Sequence, residues 1–196
     1  MQTRPCQNHT LKIAILAVFL FSLFSSPLVQ AQIQDRPKAG PDQKKMEVHL
    51  GQWKYTGTLK DTPLGPGGKF AGTSTSRMIL DDLFLESRNE DKGTYGGKEM
   101  AYKGVSIRWF DSATKTYPSQ SFDNDGIVGR GSSTVNGNTW TSTGSGIDSK
   151  GKAYRYRDTT TFSPDGKTSS TKAELSVDDG KTWMPYWEST ATKVGK

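Results

Sequence analysis

The sequence predicts an all-β protein, an up-and-down antiparallel β-barrel of about ten strands. Three observations carry that expectation. Segments rich in Thr, Ser, Tyr, Val and Trp recur along the chain, and these residue types favour a pleated strand. Turn signals with Gly, Asn or Asp separate them at regular spacing: DSATKT, DNDG, NGN, DSKG, SPDGK and DDGK. No segment shows a convincing helical period. Short links force neighbouring strands to be antiparallel. A long meander leaves exposed edges unless it closes on itself, so a closed barrel is favoured over a two-sheet sandwich.

The N-terminus is read first. Arg4 and Lys12 precede the apolar run Ile13 to Phe24, and Val29-Gln30-Ala31 places small residues at −3 and −1. That order describes a secretory signal peptide over residues 1–31, cleaved before Gln32. The run is shorter than the roughly 20 residues of a membrane-spanning helix, so no membrane span is expected after cleavage. About 165 residues remain, enough for one domain with its own core. Cys6 is the single cysteine. The expected mature chain has no disulfide and no thiol nucleophile, which suits a bacterial periplasm or a secreted setting. The formal charge of +6 includes Arg4 and Lys12, so about +4 remains, interspersed with acids. No basic block follows a phosphate backbone, and nucleic acid is not an expected partner.

Residues 32–46 are rich in Pro, Lys and Gln and read as a flexible leader; the barrel domain is expected over 47–196. In GQWKYTGTL, Trp53, Tyr55 and Leu59 share one face at period two. KDTPLGPGGK and DKGTYGGKEM read as two long loops. AGTSTSRMIL and LFLESRNE flank Asp81-Asp82 as a hairpin. Tyr102 to Phe110 is a strand with Val105, Ile107 and Trp109 on one side and Ser106, Arg108 and Phe110 on the other. Beyond it, TYPSQSF, IVGRGSSTV, TWTSTGSGI, KAYRYRDTTTF, TSSTKAELSV and TWMPYWESTATK alternate with the turns.

Several chemistries are tested by their residue requirements. SVDDGKTW, Ser176 to Trp183, looks like the Asp-box of sialidases, but one box in about 165 residues makes no propeller, and it reads as a β-hairpin. GKT at Gly166 and Gly180 lacks the earlier glycine and the following helix of a phosphate-binding loop. No GxSxG elbow occurs, and His49 alone beside the leader reads as a surface or packing residue rather than a catalytic base. In the expected mature chain, one His and no Cys leave a metal cage unsupplied. Asp123, Asp125 and Gly126 resemble a calcium-loop fragment without its later ligands. No catalytic residue, metal ligand or cofactor is therefore expected. Glu86 and Glu188 could act as acid and base across a barrel, though pairing with Arg88, Arg155 or Arg157 is the simpler reading.

What remains is an aromatic and arginine population distributed over the strands. A barrel of about ten strands is wide enough to hold a guest, and aromatics with a few polar groups line most small-molecule pockets. The candidate ligand-binding residues are Trp53, Tyr55, Arg88, Tyr102, Trp109, Arg155, Arg157 and Trp187. The expected partner is a small hydrophobic molecule. The alternatives are a structural or protein-interaction module with a filled core, or an enzyme using Glu86 or Glu188.

The run from VHLGQWKYTGTL through the GPGG loop, GVSIRWFDSATKTY and the final TWMPYWESTATK resembles the domain-of-unknown-function family 1579. His49, Gly51 and Trp53 match the opening, and Gly104 to Asp111 match the middle loosely. The resemblance implies a lipocalin-like closed barrel with no settled activity. The outline is also distantly similar to the nitrobindins, haem barrels whose iron is held by a His near the C-terminus. Trp183 to Lys196 contains no His, and this departure speaks against haem.

Overall fold

The computed structural model describes residues 37–194. The expected signal peptide and its cleavage point lie outside the described residues. Ten strands follow in order: β1 Gly51–Leu59, β2 Gly68–Ile79, β3 Phe84–Tyr95, β4 Lys98–Trp109, β5 Tyr117–Asp123, β6 Val128–Asn136, β7 Thr139–Ile147, β8 Ala153–Phe162, β9 Thr168–Ser176 and β10 Met184–Val194. Each pairs antiparallel with the next, and β10 closes on β1. The fold is thus the all-β, up-and-down closed barrel that the turn spacing predicts. Closure leaves no free edge strand.

The links obey the chemistry of tight turns. Leu80, Asp81 and Asp82 all take positive φ between β2 and β3. Gly126, Gly137, Gly151 and Gly166 supply the left-handed residue of four other hairpins. The SVDDGKTW segment is the β9–β10 hairpin, with Asp179 and Gly180 at positive φ. The Asp178 carboxylate ties it, accepting from Thr182 N at 2.9 Å, Thr182 Oγ1 at 2.6 Å and Ser176 Oγ at 2.8 Å.

Two expectations need correction. DKGTYGGKEM is not a loop: it continues β3 and begins β4 around a turn at Gly96 and Gly97. The leader does not stay irregular to residue 46. Helix α1 (Pro41–Lys44) and a 3-10 turn (Lys45–His49) enter the mouth of the barrel. Met46 is fully enclosed there.

This short plug closes one end. Met46 packs with Trp53, Leu85, Tyr117, Trp140 and Phe162, one residue from each of five strands, and with Met78, Phe110 and Val135 at the edge. The rings meet edge-on or tilted: Trp53–Phe162 at 5.8 Å and Tyr117–Trp140 at 4.7 Å between centroids. Such geometry adds to the area burial of each ring. Polar ties fix the plug. The Trp53 indole donates to the His49 carbonyl (3.0 Å), and the Tyr117 hydroxyl donates to the Asp42 carbonyl (3.0 Å).

Candidate ligand-binding site

Above this apolar floor the inner wall changes character. Strand alternation decides which side chains enter: on β8, Tyr154, Tyr156, Asp158, Thr160 and Phe162 point inward, while Arg155, Arg157 and Thr159 are exposed. Directly above the floor runs a polar belt. Hydroxyl pairs bridge neighbouring strands: Ser76–Ser87 at 2.7 Å, Ser133–Ser142 at 3.1 Å and Thr160–Thr171 at 2.9 Å. Arg108 enters from β4, in register with Leu85 of β3 and Ser119 of β5.

His49 joins the belt from the plug. Its ring sits edge-on to Trp140 (4.8 Å) and Phe162 (5.0 Å). Arg108 Nη1 lies 3.1 Å from His49 Nε2. A guanidinium only donates, so Nε2 accepts and the ring proton sits on Nδ1. Burial, aided by the Arg108 and Lys193 charges, holds His49 well below the usual imidazole range. Burial acts oppositely on Asp158, lifting its carboxyl to about 6 against a hydrogen bond from Ser142 and the Arg108 charge.

Toward the open end lies a ring of tyrosines. The Tyr55 hydroxyl donates to Asp91 Oδ2 (3.0 Å), and the Tyr102 hydroxyl donates to Asp123 Oδ2 (3.2 Å). Burial raises both phenols, and the neighbouring carboxylates add to it. A bulge between Pro185 and Trp187 turns both Tyr186 and Trp187 toward the interior. Burial, with Tyr154 and Tyr95 nearby, pushes Tyr186 up to about 12.

Glycines set the posture of these rings. A Cβ at Gly146 would meet the Tyr154 hydroxyl at 2.5 Å, and one at Gly144 would meet the Tyr156 hydroxyl at 2.4 Å. A Cβ at Gly93 would strike Tyr95, and one at Gly57 would strike Phe70 at 2.3 Å. Each ring therefore lies flat along the wall over a neighbouring glycine instead of reaching across the barrel. Tyr55, Tyr95, Tyr102, Tyr154 and Tyr156 all keep accessible surface although they face inward. The upper half of the barrel has an aromatic, hydroxyl-bearing inner wall.

The eight sequence-derived candidates divide by strand parity. Trp53, Tyr55, Tyr102 and Trp187 face inward; Trp53 belongs to the floor, and the other three line the upper wall. Arg88, Trp109, Arg155 and Arg157 face outward, so they do not line the lumen. Arg88 pairs with Glu86 (2.8 Å), Arg155 with Asp179 (2.6 Å) and Arg157 with Glu174 (2.5 Å), and Arg157 also covers the Trp183 ring at 4.4 Å. Trp109 packs against Phe84 on the outer face. Glu86, held by Arg88 and Arg77, lies below the usual carboxylate range, and Glu188 pairs with Lys60; both face outward. They do not confront each other across the interior.

The interior groups missing from that set are Arg108, His49, Asp91, Asp158, Tyr154, Tyr156 and Tyr186. For Arg108, Tyr154, Tyr156 and Asp158 the signal was strand parity. Arg155 and Arg157 alternate with Tyr154 and Tyr156, so only one pair can face in. The same strand ends in Phe162, a core residue of the tyrosine parity.

Residues 38–193 match the family described as protein of unknown function, DUF1579. The chain belongs to that family. No curated protein matches it. Among solved structures, this DUF1579 barrel is similar to the crystal structure of Rv2717c from M. tuberculosis, with a TM-score of 0.58 and 13% identity over 81% of this chain and 100% of the other. It is also similar to the S-type phycobiliprotein lyase CPES from Guillardia theta, with a TM-score of 0.52 and 8% identity over 79% of this chain and 93% of the other. At such identities the likeness is one of fold, and function has to be argued from the site.

Proposed function

We propose that this DUF1579 barrel is an exported binding protein that holds one small molecule in its lumen. The observation that carries the reading is the posture of the inner wall. The rings of Tyr95, Tyr154 and Tyr156 lie over glycines along the wall instead of crossing the barrel, while the plug packs the lower end. A site with aromatic walls and a few fixed polar groups is the usual architecture of small-molecule recognition. The ligand's apolar body, planar or alkyl, lies against Tyr55, Tyr102, Tyr154, Tyr186 and Trp187, and hydroxyls in the belt supply directional contacts. The likeness to CPES, a lyase for phycobiliproteins by name, agrees with a barrel built around a guest and says nothing of its identity.

The test is a thermal-shift panel on the purified protein with fatty acids, isoprenoids, aromatic acids and aromatic alcohols. A ligand that binds only the folded state raises the midpoint, by about 2.7 kcal/mol of stabilisation at a hundred times its Kd. At least one class is expected to do so. No shift with any class would favour a structural module instead. Export is proposed from the N-terminal pattern alone: N-terminal sequencing of protein recovered from a Gram-negative periplasm should begin at Gln32, and recovery starting at Met1 would refute it.

A further inference from the structure

We infer that the floor of the lumen is an oxyanion site, where Arg108 and the Tyr156 hydroxyl receive the carboxylate of a small organic acid. The inference rests on the lumen reading above and names the chemical class of the ligand.

Arg108 is a cation without a direct counter-charge. Its one hydrogen bond among the described residues goes to a neutral imidazole, His49 Nε2 at 3.1 Å. Its guanidinium carbon lies 5.4 Å from the Trp140 ring centroid, a contact that carries no formal charge. No carboxylate of the described residues lies within ion-pair distance of it. Asp158 acts on it only through space. Arg108 Nε is shut off from solvent with no acceptor. A guanidinium cannot shed its proton to escape this position, and a buried charge without a partner is costly. Arg108 as a whole still keeps some accessible surface. With Nη1 on His49 and Nε shut off, Nη2 is the corner left for an incoming oxygen.

A second donor stands beside it. The position a Cβ would take at Gly131 lies 2.6 Å from the Tyr156 hydroxyl and 3.4 Å from Ser119 Oγ. Ser119 is the register neighbour of Arg108. Tyr156 Oη has no hydrogen-bond partner among the described residues, and it is close enough for the two groups to feel each other's charge. The titratable groups facing Arg108 are thus His49 from the plug and Asp158 and Tyr156 from β8, with no anion in contact. A carboxylate at this place would be bound by a charge-assisted hydrogen bond from Nη2 and one phenol, with the remainder of the acid directed up toward Tyr154 and Trp187.

The experiment compares two probes with one ring system, 2-naphthoate and 2-naphthalenemethanol, by calorimetric titration at pH 7.5. Wild-type protein is expected to bind the acid at least tenfold more tightly than the alcohol. Arg108→Met should bind both alike, with alcohol affinity retained. That variant removes a buried unpaired charge in favour of an apolar chain of similar length, so it is expected to fold. Arg108→Lys keeps the charge without the planar guanidinium and should retain part of the preference. Equal wild-type affinities, or a preference that survives in Arg108→Met, would overturn the oxyanion site while leaving the lumen intact. If neither probe binds wild-type protein, the oxyanion site is overturned, and the lumen reading is decided by the thermal-shift panel.

Discussion

At the residue scale, His49 and Asp158 hold opposite and compensating protonation states. Folding keeps His49 neutral, well below its ordinary 6.5, and lifts Asp158 from 3.8 to about 6. Below about pH 6 the folded chain carries a proton on Asp158, while His49 takes one up only well below its ordinary 6.5. Between about pH 4 and 6 the unfolded chain carries one on His49 and none on Asp158. The two shifts therefore oppose each other in their effect on stability across the acidic range. Removing either partner exposes the other. Asp158→Asn should lose stability as pH falls below 6.5, by up to about 1.4 kcal/mol per pH unit. His49→Gln should lose stability as pH rises from 4 through 6, on the order of 2 kcal/mol in total. Asp91, raised by burial, adds to the second trend. Below about pH 4 both variants and the parent weaken together as Asp178, held near 2 by the β9–β10 hairpin, takes up its proton. Urea titrations at pH 4.5, 6 and 7.5 measure this directly, and identical pH profiles for all three proteins would contradict it. The same scale shows what the sequence concealed. Counting aromatics and arginines without parity mixed the two faces of β4 and β8, because Tyr102 and Trp109 are an odd number of residues apart. His49 looked like a stray surface residue because its partner Arg108 lies on a strand 59 positions away.

At the scale of elements, the plug and the β10 bulge position the site. The plug was illegible because a single turn of α-helix followed by a 3-10 turn is too short to display a period. Its Pro, Asp, Gln and Lys content also matches that of an irregular leader. Its stability comes from tertiary contacts, chiefly Met46, which has no exposed surface. Met46→Ala should cost about 2–4 kcal/mol of unfolding free energy, read as a lower urea midpoint, since it opens a cavity among Trp53, Leu85 and Trp140. A cost under about 0.5 kcal/mol, the range of a surface substitution, would mean that the plug does not seal the floor. The β3–β4 hairpin was misread for a different reason. Glycine-rich DKGTYGGKEM reads as a loop, but Gly93 lies inside β3, where its missing Cβ makes room for the Tyr95 ring.

At the scale of the molecule, the barrel was the most legible feature. Regular turns and strand-forming residues determine antiparallel order, and the need to remove edges determines closure. Which side chains fill the interior required the register, since a shift of one residue exchanges the two faces. Whether the upper half encloses a guest is decided most directly by Gly146→Ala. The added methyl meets only the far end of the Tyr154 ring, so the fold tolerates it while the ring swings into the lumen. Titration of the best ligand from the thermal-shift panel should show at least tenfold weaker binding to Gly146→Ala than to the parent, with unfolding midpoints within about 1 kcal/mol of each other. Undiminished affinity in a folded Gly146→Ala protein would place the ligand outside the barrel and contradict the account.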